Sequence, residues 1–463
     1  MKNIHKKCTV KANLKIFIIL IKIYFIIKLN KIRRSSDIEL NNDYNKIKLD
    51  YNLTFKNRTK KKIRIGIYAI AIKNGGRARI TSILINYLAN IAIFKIFLFT
   101  QRLKEQNEYK IPEKTKRIVI NKNLVQLLNK YKIDILIYQL SDVNEINRLN
   151  SLNNNIKVIF YPHSSSLYWI YFNFSYFKHL YKAYKFCKYF ISLTHFENDY
   201  LFKKWNINSI FMDTFITYEY NIVIPSDLSS NTILMLGRGD DKLKRFELGI
   251  KAMKFIIKEI PNSLLKIISD LKGLSYLEKL VNELKIENNT LFAGYSSNPD
   301  VHFKNASLHI FPSISESFGL VLCETKIYGI PNILIGLDYI SIAKKGTLII
   351  FDDDPKLIAK HAIKILKNDK YRKKLGREAR KSMKIFKNDL LYKKWIKLIL
   401  NIYNGDYYFN LLRNQDNHIS KEEALIIINN QIKILKSRKP EFKNITSNKF
   451  ENFTYLEHLE FKI

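Results

Sequence analysis

The chain has 463 residues, of which 47% are hydrophobic, and its 79 basic and 41 acidic residues give a formal net charge of +38. This length predicts two or three domains, and the apolar content is ample for sizeable cores. Its three cysteines are too few and too widely spaced for a disulfide framework or a zinc site. A basic chain of this size can bind nucleic acid, an anionic membrane or phosphorylated small molecules, although a solvated lysine-rich surface explains the charge equally well.

Residues 14–29, LKIFIILIKIYFIIKL, form a strongly apolar segment that three lysines interrupt. The segment is shorter than the ~20 apolar residues of a clean membrane span. On a helix, Lys11, Lys15 and Lys22 fall on one stripe, which favours a basic helix lying in the membrane interface, with a spanning signal-anchor as the alternative. A cleaved signal peptide is disfavoured because no small-residue cleavage site follows. We therefore predict that residues 1–61 form an N-terminal hydrophobic basic helix and a polar linker.

From residue 62, short apolar segments alternate with helical patterns. This alternation predicts an α/β fold with parallel sheets covered on both faces. A break near 220–230 predicts two doubly wound, Rossmann-like domains at 62–223 and 224–405 that face a cleft, followed by a polar and helical tail at 406–463. The predicted strands are KKIRIGIYAIAI, FKIFLFT, IDILIYQ, IKVIFYP, CKYFISL and SIFMD, then TILMLG, LLKIIS, TLFAGY, LHIFPS, NILIGL and TLIIF.

The stretch FPSISESFGLVLCETKIYGIP reads as a strand, a loop and then a helix. Phe318 and Gly319 fall at the helix N-terminus, where free amides and the helix dipole favour a phosphate. Glu316 in the loop and Glu324 in the helix would repel that phosphate unless they accept hydrogen bonds from hydroxyl groups. A sugar nucleotide supplies both features, although two surface glutamates flanking a turn by chance remain an alternative.

Three segments together resemble one family. ESFGLVLCE resembles the E-x7-E signature of the retaining GT-B glycosyltransferases of group 1, the GT4-like family. LGRGDDKLKRFELGIKAM resembles the family's segment of Gly-Arg followed by Lys, and NGG after the first strand resembles its glycine loop. The likeness covers about residues 62–405. It implies a GT-B fold and an enzyme that moves a sugar, with retention, from a UDP- or GDP-linked donor to a hydroxyl of a glycan or glycolipid.

The resemblance also implies roles for residues around the signature. Glu316 would contact the donor sugar, and Glu324 would hold the ribose hydroxyls. Backbone amides of Phe318, Gly319 and Leu320 would contact the diphosphate.

Two basic residues would neutralise the diphosphate, as the resemblance implies. Arg238 matches the family's arginine. The family usually leaves four residues between Arg and Lys, whereas Lys244 comes after five, so that Lys242 and Arg245 compete for the second role. We favour Lys244, since a basic residue ahead of a helix start suits that position.

The first half is expected to bring the acceptor. Gly75 and Gly76 would lie close to the donor phosphates or the acceptor, or would form a plain tight turn. His163 follows a predicted strand on the cleft side, where the resemblance implies a contact with the donor sugar, and a buried structural histidine is the alternative. His195 after the next strand is a weaker candidate.

No metal and no cofactor are expected. FDDDP at 351–355 has the carboxylates of a metal site, but Asp354 before Pro355 is typical of a helix N-cap followed by Pro at the first helical position. The expected partners are a nucleotide sugar, an acceptor and a membrane surface, without nucleic acid, with the catalytic domains membrane-associated on the cytoplasmic side. Two alternatives are a non-catalytic polyanion- or RNA-binding protein on a degenerate GT-B scaffold and a GT-B sugar-nucleotide epimerase.

Overall fold

The structure is a computed structural model that describes residues 62–405 apart from short internal segments. The predicted N-terminal helix and linker and the polar tail lie outside the described residues. The segments left out are 74, 107, 122, 153–155, 166–167, 170–172, 195–196, 199–200, 203–204, 219, 239–243, 271–273, 297, 314–315, 336–344 and 351.

The first half of the described chain contains one parallel sheet of seven strands in the order β3-β2-β1-β4-β5-β6-β7. Six of its strands coincide with the predicted segments, whereas β3 was not predicted. The strands are β1 (Ile63–Ala69), β2 (Phe94–Thr100), β3 (Lys116–Val119), β4 (Ile135–Tyr138), β5 (Lys157–Phe160), β6 (Tyr189–Ser192) and β7 (Ile210–Phe211). The helices between them are α1 (Gly75–Leu88), α2 (Leu124–Lys130), α3 (Val143–Asn150) and α4 (Phe174–Tyr184).

The second half contains a parallel sheet that, within the described residues, has six strands in the order β10-β9-β8-β11-β12-β13. All six coincide with predicted segments. The strands are β8 (Thr232–Leu236), β9 (Leu264–Ile268), β10 (Thr290–Phe292), β11 (Leu308–Phe311), β12 (Asn332–Ile335) and β13 (Thr347–Ile350). The helices are α5 (Phe246–Glu259), α6 (Ser275–Leu284), α7 (Asp300–Phe303), α8 (Leu320–Ile327), α9 (Pro355–Lys367), α10 (Asp369–Ser382) and α11 (Asn388–Asn404).

Both sheets reverse their strand order beside their first strand, which places β1 between β2 and β4 and β8 between β9 and β11. In doubly wound sheets the crevice at such a reversal, outside the carboxyl ends of the strands, is where ligands bind. The glycine loop follows β1, and the loop with Glu316 follows β11, so both segments lie at these positions. The predicted α/β class and the pair of parallel sheets are confirmed.

The last described helix, α11, returns to the first half. Its Tyr392 stacks on Tyr87 of α1 with ring centroids 3.4 Å apart, and its Trp395 meets the ring of Tyr161 edge-on at 5.2 Å. Trp395 is fully buried. The chain therefore crosses between the halves a second time, and α11 lies on the first half although the sequence groups it with the second.

None of the helices in the described part of the chain is both long and apolar enough to cross a membrane.

Candidate functional site

The turn from β11 into α8 presents free backbone amides to the cleft. Gly319 occupies the N-cap position of α8 with φ of 82°, a left-handed conformation that favours glycine. The first turn of α8 contains no acidic residue. Phe318 is buried with Cys323 and meets Phe386 edge-on at 5.8 Å, so its side chain anchors the turn, and the residues that follow it line the cleft. This arrangement is suited to holding an anion.

Glu316 forms an ion pair with Lys244, and both side chains remain partly accessible, at 15% and 17%. Lys244 also lines the cleft, whereas the neighbouring Arg245 is buried and has a different task. Arg245 donates from Nε to the carbonyl of Pro312 at 2.8 Å and from Nη1 to Asp353 at 2.6 Å. Of these two competing residues, the structure brings Lys244 to the cleft. Lys242, the third candidate, lies outside the described residues.

Glu324 of α8 is almost completely buried. Its Oε1 atom accepts from two residues that lie outside this helix. Arg79 of α1 lies 2.7 Å away through Nη2, and Thr217 donates its hydroxyl over 2.8 Å. Burial lowers the pKa of Arg79, but the charge of Glu324 together with the phenols of Tyr109, Tyr218 and Tyr295 more than offsets this, so that the pKa is raised overall. Sequence reasoning missed Arg79, because nothing in GGRAR distinguishes it from a solvated helix residue.

The glycine loop touches the start of α8 directly. Gly75 opens α1 with φ of 82°, and nothing lies within 4 Å of where a Cβ atom would be. A Cβ atom on Gly76 would lie 2.8 Å from Cδ1 of Leu320. The N-termini of α1 and α8 therefore face each other, one from each half.

His163 follows β5 and lines the same cavity. Its ring packs on Tyr161 at a centroid distance of 4.3 Å, and its buried Nε2 atom has no hydrogen-bond partner among the described residues. Burial, together with the positive charge of Arg77, lowers the pKa of His163 to about 3. The imidazole is therefore neutral at pH 7. His195 lies outside the described residues.

The cavity between the halves has a volume of about 200 Å³. This volume is below the roughly 300–1,000 Å³ that ligand pockets usually hold. Arg238 is exposed, and its charge acts on Arg77 of α1. The lining residues are Gly76, Arg77, Arg79, Ile80, His163, Leu193, Thr214, Lys244, Phe311, Glu316, Ser317, Phe318, Gly319, Leu320 and Val321.

Two aspartates of the FDDDP segment, Asp353 and Asp354, make structural contacts. Asp354 caps α9 by accepting from the backbone amide of Lys356 at 2.8 Å, with Pro355 in the first turn, which confirms the predicted N-cap. Asp353 holds Arg245. Across the described ranges, no three His, Cys, Asp or Glu side chains cluster in a way that could hold a metal ion.

Residues 219–382 match the model of the family described as glycosyl transferases group 1. Among curated proteins, the chain is 31% identical over 121 residues to the poly(glycerol-phosphate) alpha-glucosyltransferase of Bacillus subtilis, covering 26% of this chain and 16% of that protein. It is 29% identical over 152 residues to the N-acetyl-alpha-D-glucosaminyl L-malate synthase of Bacillus anthracis, covering 31% and 38%. The chain thus spans less than half the length of these two relatives.

Solved structures share the fold. Sucrose-phosphate synthase from Thermosynechococcus elongatus aligns with a TM-score of 0.64 at 15% identity, over 74% of this chain and all of that one. HepE of Anabaena, solved with UDP and glucose, aligns with a TM-score of 0.60 at 11% identity, over 73% and 99%. The GT-B fold implied by the sequence resemblance is confirmed.

Proposed function

Since the chain carries a group 1 glycosyltransferase domain in residues 219–382, we propose that it transfers a sugar from a nucleoside diphosphate sugar to a hydroxyl of a glycan or glycolipid. One observation carries the proposal. The Glu316–Lys244 pair lies beside the N-terminus of α8 and lines the same cavity as His163 from the opposite half. A carboxylate, a cation, free amides and a neutral imidazole then surround one small space, which matches a sugar linked to a diphosphate.

In the proposed complex, the diphosphate lies at the amides that follow Phe318. Lys244 and Arg238 offset the charge that develops on it as the sugar departs. Once Lys244 turns to the phosphate, Glu316 is free to accept a hydrogen bond from the donor sugar. Glu324 holds the ribose hydroxyls: both of its contacts use Oε1, and a carboxylate has acceptor capacity for more.

We further propose that the reaction proceeds with retention and without a metal ion. The described cavity lining offers one carboxylate, Glu316, and we assign it a hydrogen bond to a hydroxyl of the donor sugar, so a double displacement has no evident enzyme nucleophile. A front-side route, in which the leaving phosphate helps to deprotonate the acceptor, fits this lining. In this proposal Lys244 and Arg238 supply the positive charge that a metal-dependent enzyme takes from its ion.

The acceptor is proposed to be membrane-proximal, on the cytoplasmic side. This rests on the apolar, lysine-striped segment 14–29, and on no described residue. Full-length protein should sediment with vesicles containing anionic lipid, and high salt should release it only in part, because salt screens the lysines but not the apolar face. Protein that stays in the supernatant at low salt would exclude the attachment.

The test of the function is a panel of UDP- and GDP-sugars, with released nucleoside diphosphate as the readout. Turnover that depends on an added hydroxyl acceptor supports glycosyl transfer. Interconversion of the donor without any acceptor would support the epimerase alternative, and RNA binding without turnover would support the polyanion-binding alternative.

A further inference from the structure

Arg77 is a cationic side chain in the cleft that neither the sequence resemblance nor the roles above employ. It follows the glycine loop in the first turn of α1 and lines the cavity together with His163 and Lys244. It reaches solvent, and among the described residues no carboxylate forms an ion pair with it. Its neighbour two positions on, Arg79, is by contrast committed to Glu324.

The surroundings of Arg77 are cationic or neutral. The charges that act on it come from the phenols of Tyr68 and Tyr138 and from the guanidinium of Arg238 in the second half. Burial, followed by the like charge of Arg238, lowers the pKa of Arg77. The guanidinium of arginine is so basic that Arg77 stays charged at pH 7 in spite of this. The like charge of Arg238 therefore acts on Arg77 from the other half.

The N-termini of α1 and α8 add to the positive potential in the cavity. The first turn of α1 has no acidic residue, nor does that of α8, and their starts touch through Gly76 and Leu320. Both helix dipoles thus present their positive ends to one cavity. Beside them, the buried Nε2 atom of His163 lacks a partner within the described residues. An anion between Arg77 and Arg238 would relieve the repulsion and use these donors.

We propose that Arg77 is a phosphate-binding residue that the first half contributes to the cleft. The guanidinium presents paired N–H donors that match phosphate oxygens, which makes arginine well suited to this role. The phosphate has two possible sources, the diphosphate of the donor and a phosphate group carried by the acceptor. The proposal extends the proposed function by adding an anion contact from the first half.

The test compares wild type with Arg77→Gln and Arg77→Lys, and with Arg377→Gln on the exposed face of α10 as a charge-matched control. Calorimetry measures the affinity for UDP or GDP, whichever wild type binds more tightly, and for the matching nucleoside. A donor contact predicts that Arg77→Gln weakens nucleoside diphosphate binding about ten- to a hundredfold, while nucleoside binding and the control are unchanged. Arg77→Lys should recover part of the loss.

An acceptor contact predicts a different outcome. Nucleoside diphosphate binding is then unchanged, but glycerol 3-phosphate binds to the nucleotide-loaded wild type and fails to bind to nucleotide-loaded Arg77→Gln, with glycerol as the neutral comparison. Unchanged binding of both phosphate ligands in Arg77→Gln would overturn the proposal. Wild type that binds no nucleoside diphosphate would count against the proposed donor. In that case, inorganic phosphate that binds to wild type but not to Arg77→Gln would still support the phosphate site at Arg77. Equal binding of inorganic phosphate by both would overturn it.

Discussion

Arg79 in the first half and Glu324 in the second form an ion pair, with 2.7 Å between Nη2 and Oε1. Thr217, on the chain segment that crosses between the halves, donates to the same oxygen at 2.8 Å. The glutamate that the sequence assigns to the donor ribose is thus also a structural joint between the two halves. Any change in the separation of the halves acts on this carboxylate directly.

Removing one member of this pair should destabilise the protein, because it leaves a buried charge without its partner. We expect Arg79→Met and Glu324→Gln each to lower the free energy of unfolding by about 3 kcal/mol. The double variant should lose less than the sum of the two, with a coupling energy of about 1–3 kcal/mol. Urea denaturation measures all four proteins, with Arg377→Met as an exposed control. Additive losses would show that the two side chains do not support each other.

The sequence predicted the fold well because its strongest signals are local. The buried run of β1, in which every residue but Arg64 is buried, can belong only to a strand covered on both faces. The strand that was missed, β3, has four residues, of which two are charged, and it lies at the edge of its sheet, where one-sided exposure erases the apolar signal. The return of α11 to the first half was equally out of reach, since it depends on contacts such as that between Tyr392 and Tyr87.

In the candidate site, too, the features with local sequence signals could be predicted and the others could not. The turn at Gly319 and the N-cap at Asp354 could be predicted, because glycine, aspartate and proline have strong positional preferences. The sequence could not predict which basic residue faces the cleft, because Lys244 and Arg245 are neighbours and the backbone conformation decides which side chain points there. Arg245 adopts φ of 50°, which helps to turn its side chain inwards to Asp353.

Glu316 and Glu324 should affect different kinetic constants. If Glu316 contacts the donor sugar, Glu316→Ala should mainly lower turnover, whereas Glu324→Ala should mainly weaken nucleoside diphosphate binding. Loss of a charge-assisted hydrogen bond costs about 1.5–3 kcal/mol, or roughly ten- to a hundredfold. Steady-state kinetics and calorimetry separate the two effects. Glu283→Ala, on the exposed face of α6, is the control. Wild-type constants in both variants would refute the assignment.

Chelation should leave activity intact if cationic side chains, and not a metal ion, offset the charge on the leaving diphosphate. We expect full turnover in EDTA, whereas Arg238→Ala should lose most of its activity, because the charge of the leaving diphosphate is then poorly offset. Lys244→Ala should be impaired as well and should also release Glu316. Activity that EDTA abolishes and added manganese restores would transfer this role to a metal ion.

Two buried histidines should make the protein less stable in acid. Burial lowers the pKa of His309 to about 4, and burial with the charge of Arg77 lowers that of His163 to about 3. Both lie below the unfolded value of about 6.5, so below that pH the unfolded chain binds more protons. The stabilisation is complete above pH 6.5 and is lost as the pH falls towards 4 and 3, by at most about 1.4 kcal/mol per pH unit for each histidine.

His163→Asn should therefore have a shallower loss of stability between pH 6.5 and 4 than wild type. His179→Gln, on the exposed side of α4, serves as the control and should retain the wild-type slope. Urea denaturation at a series of pH values gives these slopes. An identical slope in His163→Asn and wild type would mean that this imidazole is not held neutral in the folded protein.

The contact between Gly76 and Leu320 should set how closely the halves approach. In Gly76→Ala the new methyl group would lie 2.8 Å from Cδ1 of Leu320, which is too close, so one of the two must shift. Alanine within α1 favours the helix by roughly 0.5–1 kcal/mol, and the fold itself should tolerate the change. Cδ1 ends a flexible side chain, so Leu320 can absorb part of the shift, and we expect Gly76→Ala to weaken nucleoside diphosphate binding by at most about tenfold. Leu320→Ala removes Cδ1 while keeping the backbone amide at the helix start, so the Gly76→Ala, Leu320→Ala double variant should bind as tightly as Leu320→Ala alone.

Gly75→Ala is the control that separates backbone strain from steric crowding. Its new Cβ atom meets no atom within 4 Å, but the alanine must adopt φ of 82°, so Leu320→Ala should not restore binding in this variant. If truncation of Leu320 fails to restore binding in Gly76→Ala, the two halves do not meet through this contact.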